Sequence, residues 1–600
     1  MQKPCSYERV GPRTPQQLLD SDIQAIGQQS TPTQASETAV DATIPSVLPD
    51  VLDTHPEDSL IDWDLATIQF PPPLPSPSLF SISSDRVRTL VFLSQVTSVT
   101  GLSATFECRS LWQRYSICSL LGLCNEYSAD TPPEASSLWE TAPSKTDGSA
   151  LLTQSAGDPL LNQSLAVIEL FRRSPYTSTH PRVAPAWSQV LESLCLQFFH
   201  PRSIRRFLQL FWLLWYPHCP IVHRPTLREN EVSPVLLACM VIIGACVSPN
   251  APDNEMAKLW FDRVEDIAFS LDTTDPQYLG RPEKLECLQA MYFVCLIQTW
   301  EGSPASKRRI RQSRFPSLLI VARSFGISSA SHQTLRFDGT PEAWWNQFIL
   351  EEMIIRYIYH TKHPPTHSYP QDETKRNPTD RTLTKVFLLD VAFAVFYNTP
   401  PRMVISELQM DLACHEDCFQ ATSVDACLSA FARSTALMAC QGGRPTVRAA
   451  IRRICQSHIS PESEAAFERL STLNMFTIVS ALHNLLFHMQ STVVETTAQA
   501  LESGLHNWKY LWAKRQRLLE QDGDKYGTDM RTDEGFMRHA EEYWLLANVL
   551  LERFRNSQND EMDMESAGPG RGSLDGISDS GMEALNSVIM EFRGIAFRAL

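Results

Sequence analysis

The sequence predicts an all-α protein preceded by a disordered acidic N-terminal arm, and three observations carry that expectation. Apolar residues recur at three- and four-residue steps from about Trp187 onward, the period of a helix face. No sustained two-residue alternation and no Asn-Gly hairpin turn accompanies them. Glycine is scarce, 23 of 600 residues, where average usage would be about 7%.

The bulk numbers narrow the class. A chain of 600 residues, 43% hydrophobic, can bury a large core and is not disordered throughout. At roughly 100–200 residues per domain it has room for several. The longest unbroken apolar run, Val235 to Val247, is thirteen residues, and a bilayer crossing needs about 20, which argues against a membrane protein. The opening Cys5-Ser6-Tyr7-Glu8-Arg9 is too polar for a secretory leader. Fifteen cysteines at irregular spacing, many of them inside apolar helical stretches, fit a reducing compartment better than a disulfide scaffold. A net charge of −16 argues against a surface that grips nucleic acid all over.

The arm, residues 1–85, owes its character to charge. Between Arg13 and Arg86 there is no lysine or arginine, but there are eleven acids, and the first 80 residues carry 12 of the 40 prolines. Such a segment buries too little apolar surface to offset the entropy of ordering. Within it Leu60, Ile61, Asp62, Trp63, Asp64 and Leu65 interleave apolar and acidic side chains. Repulsion among the acids keeps the apolar ones available to a partner, as in an acidic activation segment; a solvated linker is the alternative.

Residues 86–124 form a short apolar island, too small to fold alone and expected to dock on the main body. A polar, largely disordered linker follows over 125–186, and then the helical body over 187–555. Ser203 to Trp215 stripes Ile204, Phe207, Leu208, Phe211 and Trp215 along one face. Pro282 to Trp300 does the same with Leu285, Leu288, Met291, Tyr292 and Cys295. Ser460-Pro461-Glu462 reads as a helix start, with Ser as N-cap and Pro in the first turn, and the helix is expected to run to about Met489. Phe536, Ala540, Tyr543, Ala547 and Leu550 stripe another. A Gly- and Pro-containing linker over 556–578 leads to a final helix over 579–600.

A search for catalytic or metal chemistry returns mainly absences. No Cys-x-x-Cys, His-Glu-x-x-His, Gly-x-x-x-x-Gly-Lys or Gly-x-Ser-x-Gly occurs, nor the Asp-Asp-x-x-Asp of an all-α terpene cyclase. Cys414-His415-Glu416-Asp417-Cys418, with Cys427, has soft ligands at a spacing that fits no common zinc pattern; a loop entering a helix with buried thiols accounts for it better. His360, His363 and His367 flank Pro364-Pro365, which break helical register and leave the imidazoles on an exposed loop. Lys307, Arg308, Arg309 and Arg311 make the densest basic run, read either as a nuclear-import signal or as one solvated face of a helix. No catalytic, cofactor or metal residue is assigned, and the chain is not expected to be an enzyme.

Several segments, taken in order, resemble the fungal-specific transcription factor regulatory domain, the helical middle homology region of fungal zinc-finger regulators. Tyr216-Pro217-His218-Cys219-Pro220-Ile221-Val222-His223-Arg224-Pro225-Thr226-Leu227 resembles its entry motif. Val386 to Phe393, Asn398 to Met403, Leu473 to Phe476, Trp508 with Leu511-Trp512, and Gly535 to Trp544 are similar to members carrying paired two-Cys two-His fingers. The resemblance covers roughly 201–550 plus the island from Phe92 to Cys108.

It implies a nuclear transcriptional regulator of RNA polymerase II genes, a metabolic or biosynthetic gene cluster being one target class. It also implies an all-helical body that gates the arm, dimerises or senses a metabolite, with the transcription machinery or co-regulators as partners and no membrane association. DNA binding and zinc come with the family, through an N-terminal zinc module. Of that module this sequence offers only Cys5 before Arg86, and one thiol cannot hold zinc. Either a first exon is missing from the reading frame or the protein regulates without touching DNA directly. His218, His223 and Arg224 read as structural. The rivals are an all-α enzyme with a site assembled from scattered side chains, and an interaction scaffold that does not bind DNA.

Overall fold

A computed structural model describes residues 90–106, 111–120, 157–173, 187–270, 281–324, 340–356, 384–408, 411–435, 446–491, 498–526, 535–565 and 581–598. All the described residues belong to one unit, Ser78–Leu600. The acidic arm with its segment from Leu60 to Leu65, and the loop carrying His360, His363 and His367, lie outside them.

The described residues are helical, without a strand; a lone antiparallel bridge pairs Asp411 with Thr446. In chain order the helices are α1 (Val91–Ser98), α2 (Leu102–Phe106), α3 (Leu111–Leu120), α4 (Leu161–Arg173), α5 (Gln189–Phe198) and α6 (Pro201–Leu210). A π-helical turn (Phe211–Trp215) and a 3₁₀ turn (Tyr216–His218) continue α6. Then come α7 (Pro234–Cys246), α8 (Ala251–Lys258), α9 (Phe261–Ser270), α10 (Arg281–Trp300), α11 (Pro304–Arg309), a second π turn (Ile310–Arg314) and α12 (Phe315–Ser324). The remainder are α13 (Pro341–Arg356), α14 (Thr384–Tyr397), α15 (Glu416–Phe419), α16 (Val424–Thr435), α17 (Val447–Ile454), α18 (Pro461–Phe467), α19 (Thr472–Ser491), α20 (Ala498–Tyr526), α21 (Ala540–Glu565) and α22 (Gly581–Arg598).

The thirteen-residue apolar run is the centre of one half of the body. It forms α7, buried from Val235 to Cys246, with Ser233 as N-cap and Pro234 in the first turn. A helix apolar all round needs neighbours on every side. Here α4, α6, α8, α9, α10 and the first π turn pack around it. In the other half α19 plays the same part, enclosed by α14, α17, α20 and α21. Among the described residues no single helix is long and apolar enough to cross a membrane.

Where α6 crosses α7 the backbones nearly touch. A Cβ built on Gly244 would stand 1.9 Å from the Phe207 carbonyl oxygen. Glycine is required there by close approach, since both atoms in conflict belong to packed backbone.

Three boundaries differ from the sequence expectation. The segment read as linker over 125–186 contains α4, whose Ser164, Val167, Ile168 and Phe171 are buried. Its stripe is short and its exposed face carries Asn, Gln, Glu and Arg, so window composition hides it. The helix expected from Pro461 to Met489 is two, α18 and α19, bent by 113° at a short break. Ser460 does cap the first, accepting from Ser463 N at 3.3 Å. The break lets Arg515 reach inside: its guanidinium donates to Leu470 O and Thr472 Oγ1, both at 2.8 Å. Lastly, α21 runs on to Glu565, ten residues into the expected 556–578 linker.

The crossing of α6 and α7 yields a direct test. Gly244→Ala is expected to force these helices apart and destabilise the protein by about 1–3 kcal/mol in urea unfolding. Gly594→Ala in α22, where an added Cβ meets nothing within 4 Å, is expected to be neutral or stabilising by up to about 1 kcal/mol.

Candidate functional site

The π turn after α6 prepares the site. A π turn inserts one residue into the helical register, and here it brings Phe211, Trp212, Leu214 and Trp215 all into the interior. The 3₁₀ turn behind it delivers His218 and Cys219 to the same place. A cavity of about 60 Å³ opens there, walled by Trp215, His218 and Cys219, by Tyr292, Leu296 and Trp300 of α10, and by Lys385, Leu388 and Phe396 of α14. Phe476 of α19, Phe536 and Tyr543 close the far side, while Val96 of α1 and Phe106 of α2 form the remaining wall.

Aromatic packing fixes this shell. The Phe106 ring lies 5.6 Å from Trp215, 5.0 Å from Trp300 and 5.2 Å from Phe536, between centroids. His218 Nδ1 accepts from Phe536 N at 3.0 Å. Gly535, just before, has φ +56°, and a Cβ there would meet the Pro217 carbonyl oxygen at 2.3 Å. Only glycine both adopts that left-handed backbone and lets the two segments meet.

The polar groups in the wall include Ser480, His218 and the hydroxyls of Tyr292 and Tyr543, which can accept, and three side chains that can only donate. Lys385 is buried, and its Nζ has the thioether of Met537 at 3.5 Å. Burial lowers its pKa. The indole N–H groups of Trp215 and Trp300 are buried without an acceptor among the described residues. Burial pushes the Cys219 thiol up to about 11, so it stays protonated at neutral pH and is a poor nucleophile. Among the described residues no carboxylate lines the cavity.

The body also completes the helices that bear Val96 and Phe106. At the start of α1 stands Leu90, with φ 56° and no side-chain cap of its own. Glu542 of α21 supplies the acceptors, taking Phe92 N at 3.2 Å and Leu93 N at 3.0 Å. Glu301, just after α10, accepts from Leu102 N at 2.6 Å, and Gly101 N donates to Trp300 O at 2.9 Å. Phe92 stacks on His539 at 4.3 Å, and α22 packs along α1. The island is thus seated on the body over the cavity.

Of the residues singled out in the sequence, His218 lines the cavity, whereas the basic run, the cysteine cluster, His223 and Arg224 lie elsewhere. In the basic run only Arg308 is classed as exposed. Arg309 Nη2 binds Glu265 Oε2 at 2.6 Å and Asp262 Oδ1 at 3.0 Å, and Arg314 Nε binds Glu265 Oε1 at 2.9 Å. Lys307 is partly buried, and the Arg311 guanidinium sits 4.0 Å over the Tyr397 ring. Arg309 of the run, together with Arg314 beyond it, therefore holds α11 and the second π turn to α9.

Cys414, Cys418 and Cys427 are buried in an apolar cluster with Trp344, Phe348 and Phe419, and among the described residues no group of three metal-ligating side chains converges. His415 turns outward as the N-cap of α15. Beside them Arg356, fully buried, joins Glu352 and Glu416 at 2.9 Å each. Burial alone would lower the guanidinium pKa, but Glu416 and Glu352 outweigh it and raise it. His223 is buried with Nδ1 2.7 Å from Thr226 Oγ1, and Arg224 lies over the Trp212 ring, so both are structural.

The cavity itself was not legible in advance, because its wall comes from segments hundreds of residues apart. Two signals were available: the segments that carry the family resemblance, which contribute Phe106, His218, Leu388, Phe476 and Phe536 to the wall, and Lys385, a lone cation heading the apolar run Val386-Phe387-Leu388-Leu389.

A wholly helical domain with one large core and an apolar, donor-lined cavity under a docked helical island is the class these features define. The family model described as "Fungal specific transcription factor domain" matches residues 208–510. Transcription factor verF of Penicillium polonicum is 32% identical over 633 residues, an alignment covering 98% of this chain and 80% of that protein. No solved structure matches. The chain belongs to the fungal specific transcription factor domain family, and it is a fungal transcriptional regulator.

Burial of titratable groups around the site sets a pH dependence. His223 and His483 are held at about 4, mainly by burial; His483 Nε2 lies 2.8 Å from the Tyr543 carbonyl oxygen. Each therefore contributes stability that is complete above about 6.5 and is lost as pH falls through 4. Asp390 acts oppositely: burial raises its carboxyl to about 6, against the N–H groups of Met403 and Arg402, so its contribution is present at low pH and is lost as pH rises through 6. Burial also raises the carboxyls of Asp266, Glu286 and Glu301, which act in the direction of Asp390, so the histidine share of the pH slope between 6.5 and 4.5 is read by difference in thermal melts. His483→Gln, which keeps a donor for the Tyr543 carbonyl, should remove part of that share; an unchanged slope would contradict the assignment.

Proposed function

We propose that this regulator acts in the nucleus on RNA polymerase II genes, that it catalyses no reaction, and that its output is recruitment of transcription machinery by the acidic arm. The helical body gates that arm. The observation that supports this reading is the seating of α1 and α2, the first described helices after the arm in the chain, whose opening turns are capped by Glu542 and Glu301 of the body. A segment held this way can report the state of the body to whatever precedes it in sequence.

Turnover is disfavoured by the chemistry of the cavity wall. It offers a protonated thiol, a buried lysine, indole donors, His218, Ser480 and two tyrosines, with no carboxylate lining it among the described residues, and the Nδ1 of His218 is taken by the Phe536 N–H. DNA contact and zinc come with the family, and a biosynthetic gene cluster remains the proposed target class.

The arm can be tested apart from the body. Residues 14–85 fused to an unrelated DNA-binding module are expected to activate a reporter, and replacing Leu60, Ile61, Trp63 and Leu65 with alanine should remove most of that activity. A well-expressed fusion without activity would remove the activation claim.

A further inference from the structure

The chemistry of the cavity specifies an occupant. Its wall is largely aromatic and aliphatic, so anything that fills it must be mostly apolar. Among the exceptions, Ser480, His218, Tyr292 and Tyr543 can accept as well as donate, whereas two indoles and a lysine can only donate. Trp215 and Trp300, 2% and 9% exposed, each present an indole N–H without an acceptor among the described residues. An indole N–H can only donate. Lys385, 2% exposed, meets only a thioether at hydrogen-bonding distance among the described residues. Buried donors left unmatched are costly, and the carboxylate that acts on Lys385, Glu416, is already held by Arg356. The missing complement is an acceptor, and best an anionic one.

We propose that this cavity is a binding site for a small apolar carboxylate, with Lys385 and the indole N–H groups of Trp215 and Trp300 taking the carboxylate and the surrounding rings taking the hydrocarbon. Phe106 is the gate. Its ring stands against Trp215, Trp300, His218 and Phe536, and it belongs to a five-residue helix whose first turn hangs on Glu301. Helix α2 is therefore the wall most easily displaced, and occupancy would be felt first by the island.

The site stands on this donor set alone. Its coupling to transcription rests on the regulator reading above, and the two fail separately, because binding is measured on purified protein and output in a reporter. The full chain is titrated with isobutyrate, benzoate, benzyl alcohol and benzene, followed by thermal shift and tryptophan fluorescence. At least one carboxylate is expected to raise the melting temperature, to change the fluorescence, and to bind about tenfold or more tighter than benzyl alcohol or benzene. Lys385→Met should remove that preference while leaving benzene binding in place, and Trp300→Phe, which keeps the ring and removes the N–H, should weaken the carboxylate about threefold to tenfold. Failure of both carboxylates to bind, or a preference for carboxylate that survives Lys385→Met, would overturn the proposal. A carboxylate that binds without changing reporter output would leave the site standing and remove its coupling to the arm.

Discussion

Two carboxylates of the body, Glu542 and Glu301, hold the start of the helical structure in place. Helices of eight and five residues do not persist in water by themselves, because nucleation is unfavourable and few bonds follow it. Neither α1 nor α2 has an acid in its first turn, and α1 begins at a leucine without a capping side chain. Their opening amides are satisfied instead by groups 450 and 199 residues further along the chain. Helicity in the island is thereby conditional on the body being folded, and on α21 and the end of α10 keeping their places.

That dependence ties together features that look separate. Phe106 enters the ring cage because α2 is helical, and the cage exists because a π turn brings Trp215 inward and Gly535 lets the Phe536 segment approach Pro217. The same residues that receive Phe106 wall the cavity. A change inside the cavity and a change in island docking are therefore one mechanical event.

The fold was legible where a single helix face carried the information. The stripes of α6 and α10 read directly from their spacing, as did the apolar run that became α7 and the Ser460 cap. Legibility failed where tertiary contacts decided. Helix α4 has a short stripe in polar surroundings and is stabilised by packing on α5, α6, α7 and α9. The break between α18 and α19 is marked by no proline or glycine and is held by Arg515 from α20. At the site, local motifs drew the eye to Lys307–Arg311 and Cys414–Cys418, where charge and sulfur cluster in sequence, but these are largely engaged in internal packing. The cavity residues are dispersed over the segments that carry the family resemblance and are mostly apolar, so assembly in space is what joins them, with Lys385 the one charged clue.

Hydrogen exchange on the purified full chain tests the conditional helices most directly. Removing a cap of this kind is worth about 0.5–2 kcal/mol, so replacing Glu542 and Glu301 together with alanine should speed exchange in each of α1 and α2 by about twofold to thirtyfold. Protection in α7 should stay as it was. Unchanged protection of the island in that variant would contradict the account, since α1 and α2 would then be helical without the body's carboxylates.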